Sequence, residues 1–146
     1  MYREHAARLW RALVAFTGDR DVSSDAVAEA FAQLLARGSA VRDPAAWVWR
    51  AAFRIAAGEV GTRRDSVAIA NREFPDVDAA TAEGVDLMLA LQQLPTKQRA
   101  AMVLRYLVEL PTAQVARILG ISPPTVRVHL MKARRRLRMI LEVTDD

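Results

Sequence analysis

At 146 residues and a formal charge of +4, the chain suffices for one domain or two small ones, with a mild preference for anionic partners. The absence of cysteine excludes disulfides and thiolate metal sites, and His5 and His129 are too far apart in sequence to suggest a ligand cluster, so neither metal nor cofactor is expected. No apolar stretch approaches the ~20 residues that span a bilayer, and Arg3, Glu4, Arg8 and Arg11 break any signal-like N-terminus; the expectation is a soluble cytoplasmic protein without membrane insertion.

Alanine, leucine and arginine dominate, apolar residues recur at helical period and β-branched runs bounded by turns are missing, which predicts an all-α protein. A first helix is expected over Arg3 to Thr17, with Ala6, Leu9, Leu13 and Phe16 on one face and Gly18 ending it. A second runs from Ser24 to Arg37, its stripe formed by Val27, Phe31, Leu34 and Leu35, with Gly38 as the stop. Asp43-Pro44 supplies a cap and a first-turn proline for a third helix that turns Trp47, Val48, Ala51, Ala52 and Ile55 inward. These three make a small bundle, residues 1–61.

Residues from Gly61 to Thr81 hold Gly61, Pro75 and several acidic side chains without an apolar period, and read as a linker, bounded at 62–81. Its acidic residues could rest against basic surfaces elsewhere on the chain. A second bundle, 82–146, opens near Val85 with Leu87, Met88 and Leu91 and breaks at Leu94-Pro95. It restarts with Thr96 as N-cap, and the helix from Lys97 to Val108 buries Ala100, Val103, Leu104 and Leu107 before Leu110-Pro111 breaks it again.

Beyond that break the spacing of Ala116, Gly120 and Val126 is that of a helix-turn-helix: a small residue where two helices cross, a glycine in the turn and an apolar plug. Ser122 caps the second helix, with Pro123 and Pro124 in its first turn. Val126, Leu130, Ala133 and Leu137 form the buried stripe, leaving Arg127, Val128, Met131 and Lys132 outward and His129 at the edge. The charge is equally uneven: residues 1–80 carry 11 basic and 11 acidic side chains, residues 81–146 carry 10 and 6. Between Glu109 and Glu142 there is no acidic residue, whereas Arg117, Arg127, Lys132, Arg134, Arg135, Arg136 and Arg138 all fall there. Such a run could be a solvated helix face; directly behind a capped helix-turn-helix it reads as a phosphate clamp.

Within that frame Arg127 is the candidate for a bidentate contact to guanine. His129 suits a base or phosphate contact or a plain surface position, and Thr125 a phosphate contact or a local cap. Arg99 and Arg105 either face the DNA backbone or flank the apolar stripe. In the first bundle Trp47 reads as core, whereas Trp49 and Phe53, four apart on another face and beside Arg50 and Arg54, place at least one ring toward DNA or a partner, each base stack contributing ~1–3 kcal/mol. Glu29 has no second carboxylate, serine or histidine at a spacing that builds an acid/base pair, so no catalytic site and no enzyme is expected.

The block Leu94-Pro95, Arg99, Leu104-Arg105-Tyr106, Leu110, Val115-Ala116, Leu119-Gly120, Ser122, Thr125-Val126, Leu130, Ala133-Arg134 and Leu137 strongly resembles the promoter-binding region 4 of extracytoplasmic-function sigma factors of the sigma-70 family. Gly18-Asp19-Arg20, Asp25, Ala28-Glu29-Ala30-Phe31, Ala46-Trp47 and Arg50 more loosely resemble region 2. The resemblance implies a transcription initiation factor that directs RNA polymerase core enzyme to promoters. By it, Asp25, Glu29, Phe31 and Leu35 dock on the coiled coil of the β′ subunit, and Trp49, Arg50, Phe53, Arg54, Arg63 and Arg64 meet the minus-ten element. Thr125, Arg127, Val128, His129, Met131, Lys132, Arg134, Arg135 and Arg138 meet the minus-thirty-five element, while region 4 also touches the β flap. An anti-sigma partner that wraps the same surfaces is a further implication. Two positions depart from the family pattern: Arg54 stands where an asparagine for base capture is expected, and Ala28 where a glutamine precedes Glu29. They keep two alternatives open, a sigma-like DNA-binding regulator that has lost promoter melting and a partner-docking protein.

Overall fold

The computed structural model describes residues 2–63 and 82–144, and every regular element among them is helical. Seven helices follow one another: α1 (Tyr2–Thr17), α2 (Arg20–Arg37), α3 (Pro44–Arg63), α4 (Ala82–Gln92), α5 (Thr96–Met102), α6 (Thr112–Leu119) and α7 (Pro123–Thr144). Proline and glycine set most of the boundaries. Pro44 and Pro123 open α3 and α7, Pro95 and Pro111 sit just before α5 and α6, and Gly38 and Gly120 close α2 and α6 with positive φ.

The structure moves five expected features. Helix α2 begins at Arg20, four residues ahead of the predicted start, because Asp19 caps it by accepting the Val22 amide at 2.9 Å. Its buried face is Ser23, Ala26 and Ala30, with Val27, Phe31 and Leu34 partly covered and Leu35 81% exposed, so Leu35 leaves the predicted stripe. Helix α3 runs on through Gly61, Thr62 and Arg63, which removes the first residues from the predicted linker; residues 64–81, with Arg64 and the linker acids, lie outside the described residues. Thr96 is the first residue of α5, not its cap, and Pro95 takes the cap position.

The fifth shift, at Leu107, has a geometric cause. After Met102 the chain widens into a π-turn over Val103–Leu107, marked by Val108 N–H donating to Val103 O at 3.0 Å. A period of about 3.6 residues carried through such a turn points the wrong way. Leu107 is therefore exposed, while Ala100, Val103 and Leu104 are buried as expected.

Helices α1 to α3 pack on one another, α4 to α7 likewise, and the two groups share one continuous core. The first group centres on Phe16, whose ring lies 5.2 Å from that of Phe53, itself stacked 6.2 Å from Trp49. Instead of a single buried face, the end of α1 is buried all round: every residue from Ala12 to Asp19 is covered. Residues 12–16 read Ala-Leu-Val-Ala-Phe, apolar on every side, and a helix of that composition needs neighbours on every side.

Arg99 supplies the polar part of the join. It is 4% exposed, lies 5.8 Å over the Phe16 ring, and donates to Phe16 O, Gln92 O and Leu94 O at 3.0 Å each and to Gln92 Oε1 at 3.2 Å. Gln92 Nε2 in turn donates to Ala15 O at 2.9 Å, and Arg8 donates to Val108 O at 2.9 Å further up α1. The guanidinium thus collects carbonyls from the C-terminal ends of α1 and α4, where helices leave acceptors unmet and carry partial negative charge.

Arg99→Met keeps the apolar stem but strands these carbonyls. We expect a loss of about 3 kcal/mol in urea unfolding, together with a larger radius of gyration by small-angle scattering as the halves separate. An unchanged midpoint and radius would show that the guanidinium does not join them.

Candidate nucleic-acid interface

Helices α6 and α7 form the helix-turn-helix by local rules. Val115, Ala116 and Ile118 bury one face of α6, Gly120 adopts the left-handed conformation at φ 69°, and the Ile121 amide returns to Ala116 O at 3.1 Å. A Cβ at Gly120 would meet Arg50 Nη2 at 3.0 Å, so glycine also admits the approach of α3. Ser122 Oγ accepts the Thr125 amide at 3.3 Å and lies 2.8 Å from Thr125 Oγ1, making Thr125 part of the cap.

Val126, Leu130, Ala133 and Leu137 are buried, as the spacing predicts. Arg127, Val128, Met131, Lys132, Arg135, Arg136 and Arg138 are exposed along α7. Arg134 is exposed too but donates to the Tyr106 hydroxyl, a link from α7 to the π-turn that periodicity alone does not reveal. His129 is half-buried, and its Nδ1 has no hydrogen-bond partner among the described residues. Burial, and then Lys97 and Lys132, hold its imidazole below the ordinary histidine range.

The basic and aromatic cluster of α3 is arranged differently from its sequence expectation. Trp49 and Phe53 are 6% and 3% exposed, so neither offers a ring to a base in this arrangement; their four-residue spacing stacks Trp49 on Phe53, which in turn packs against Phe16. Trp47, read as core, is instead half-buried, with the Arg37 guanidinium 5.2 Å over its ring. Arg50 and Arg54 are exposed, and both face the helix-turn-helix. Arg50 lines an open cleft of about 810 Å³ with Arg37, Arg42, Trp47, Arg117 and Ser122. Arg54 lines a smaller one with Lys97, Ile118 and Leu119. Arg63 is the last residue of α3. Sequence periodicity orders residues within one helix, and nothing in it relates Arg37 and Arg42 to Arg117 across the cleft.

On α2, Asp25, Glu29 and Leu35 are exposed and Phe31 is half-buried; Glu29 accepts from Gln33 at 3.3 Å. Among the described residues no group of histidine and carboxylate side chains could hold a metal ion, and no helix is long and apolar enough to cross a membrane.

A capped helix-turn-helix continuing into a basic helix with no acid before Glu142 defines a DNA-binding protein of the helix-turn-helix class. The model of the family described as sigma-70, region 4 matches residues 84–137. The extracytoplasmic-function RNA polymerase sigma factor SigL of Mycobacterium tuberculosis is 30% identical over 154 residues, covering 97% of this chain and 87% of the relative. The RNA polymerase sigma-E factor of Streptomyces antibioticus is 37% identical over 82 residues, 53% of this chain and 46% of the relative. Two solved structures share the fold: CnrH in complex with the cytosolic domain of CnrY (TM-score 0.74, 23% identity, 97% of this chain and 84% of that one), and the sigma factor RpoE with the anti-sigma factor NepR from Bartonella quintana (0.70, 19%, 95% and 92%). The chain belongs to the extracytoplasmic-function RNA polymerase sigma factors.

The depressed histidine gives a pH signature. A base whose folded pKa lies below its unfolded value of 6.5 leaves the native state holding fewer protons. Its contribution is therefore fully present above 6.5 and is lost as pH falls through that value toward the native one. Urea midpoints should decline over this window more steeply in the parent chain than in His129→Gln; parallel curves would place His129 in ordinary solvent.

Proposed function

We propose that the chain is a non-catalytic, cytoplasmic transcription initiation factor that brings RNA polymerase core to specific promoters. In this reading residues 1–63 serve the core enzyme and the minus-ten element, 64–81 connect, and 82–146 read the minus-thirty-five element. The observation that carries it is the exposed cationic face of α7 behind the Ser122 cap, with no acid between Glu109 and Glu142 to oppose phosphate.

Arg127, exposed near the start of α7, serves in this reading as the residue that reaches base edges in the major groove. Thr125, Lys132, Arg134, Arg135 and Arg138 supply phosphate contacts along the same helix, and His129 sits at its edge. On the other half, Arg50, Arg54, Arg63 and Arg64 serve the minus-ten strand, and the exposed Asp25, Glu29 and Leu35 present α2 to the β′ coiled coil, with Phe31 beneath them. Region 4 also meets the β flap. The clefts that Arg50 and Arg54 share with the helix-turn-helix imply that the two halves part when both promoter elements are engaged. Two solved relatives are complexes, one with the anti-sigma factor NepR and one with the cytosolic domain of CnrY; by analogy an inhibitor of this chain would hold the halves together.

Run-off transcription from a linear promoter fragment with core polymerase tests the reading: transcript that depends on this chain is expected, and duplex binding without transcript would leave a regulator that no longer melts promoters. On the same fragment Arg127→Ala should relax base preference at one position by ~1–3 kcal/mol. Arg135→Ala should weaken all duplexes alike and lower the salt slope by ~1. Identical behaviour of the two variants on scrambled DNA would remove the division into base reader and backbone clamp.

A further inference from the structure

Resting on that reading, we infer that Val128 and Met131 contact the 5-methyl groups of thymines in the upstream promoter element and make its recognition depend on them. At about 3.6 residues per turn, Val128 falls diametrically opposite the buried Val126, Leu130, Ala133 and Leu137, and Met131 lies beside it on the next turn. Each side chain is 44% exposed, on the half of α7 nearest its N-terminus, the part of a recognition helix that enters the major groove.

Two apolar side chains on the outermost ridge of a basic helix have no partner in the described chain to cover them. Arg127, Lys132, Arg134, Arg135 and Arg138 surround them, all exposed. That rim repels a basic protein surface and fits a polyanion, so the occupant favoured by charge is duplex DNA. Within the major groove each base pair presents donors and acceptors, and the only apolar group in an unmodified duplex is the thymine methyl. A valine held against any other base edge would strip water from a donor or acceptor without replacing its hydrogen bond. The pair therefore selects thymine by contact and rejects the other bases by unmet desolvation, complementing the hydrogen-bonding role of Arg127.

The test uses the full chain assembled with core polymerase. A preferred upstream duplex is selected from randomised DNA, and each thymine in it is replaced in turn by deoxyuridine, which deletes only the methyl group. At one or two positions affinity should fall about three- to fivefold, the loss of one buried methyl. Val128→Ala or Met131→Ala should abolish that sensitivity, each variant binding the thymine and uracil duplexes equally well. A selected duplex indifferent to uracil at every position overturns the inference and leaves the promoter-binding reading standing. So does a uracil effect that persists in both variants, or a loss in the variants of core binding instead of DNA binding. Failure to select any sequence overturns both.

Discussion

The guanidinium of Arg99 sits where two helices end, and the arrangement of the two halves follows from what it must satisfy there. Taking a cation out of water is tolerable only when several acceptors replace the lost solvent; here three backbone carbonyls and one side-chain amide do so, with the Phe16 ring as a further neighbour. Because Phe16 O belongs to α1 and the other acceptors to α4 and the turn after it, the same bonds that solvate Arg99 fix the first half against the second. Gln92 extends the junction to Ala15 O, and its side chain occupies the space beside Gly18 that a Cβ would enter at 3.2 Å.

This join has a functional corollary. Arg50 and Arg54, on one half, and the helix-turn-helix, on the other, face each other across two clefts that α3 and α6 line together. Four arginines meet at the larger cleft with Asp43 as the acid among its lining residues, so the positive charge gathered there favours an anionic occupant or the opening of the cleft. The outer ridge of α7, by contrast, is exposed in the same arrangement.

Much of the fold was readable in the sequence because proline and glycine punctuate it, and the helix-turn-helix most of all: Ala116, Gly120, Ser122, Val126 and Leu130 each sit in the role their residue type and spacing demand. The misses in burial share a cause. Periodicity treats a helix as a uniform cylinder with one dry side, and that assumption fails at the π-turn, which turns Leu107 outward. It also fails on α1, whose second apolar side is covered by residues some 80 positions later. Trp47 and Trp49 exchanged their expected places for the same reason: two indoles two residues apart lie on opposite faces of one turn of α3 and are equally apolar, and only the tertiary packing through Phe53 onto Phe16 shows which is buried. The reader positions on α7 were legible as exposed, whereas the arginines around the cleft were not, since no local rule joins Arg42 to Arg117.

The all-round burial of α1 also bears on how the chain is made. Ribosomes deliver the N-terminal helices first, and the end of α1 around Ala15 and Phe16 meets Gln92 and Arg99 only after α4 and α5 have left the exit tunnel. During that interval the nascent polypeptide presents a sticky rod, a natural substrate for holdase chaperones, and translational pausing upstream of Arg99 would prolong its exposure.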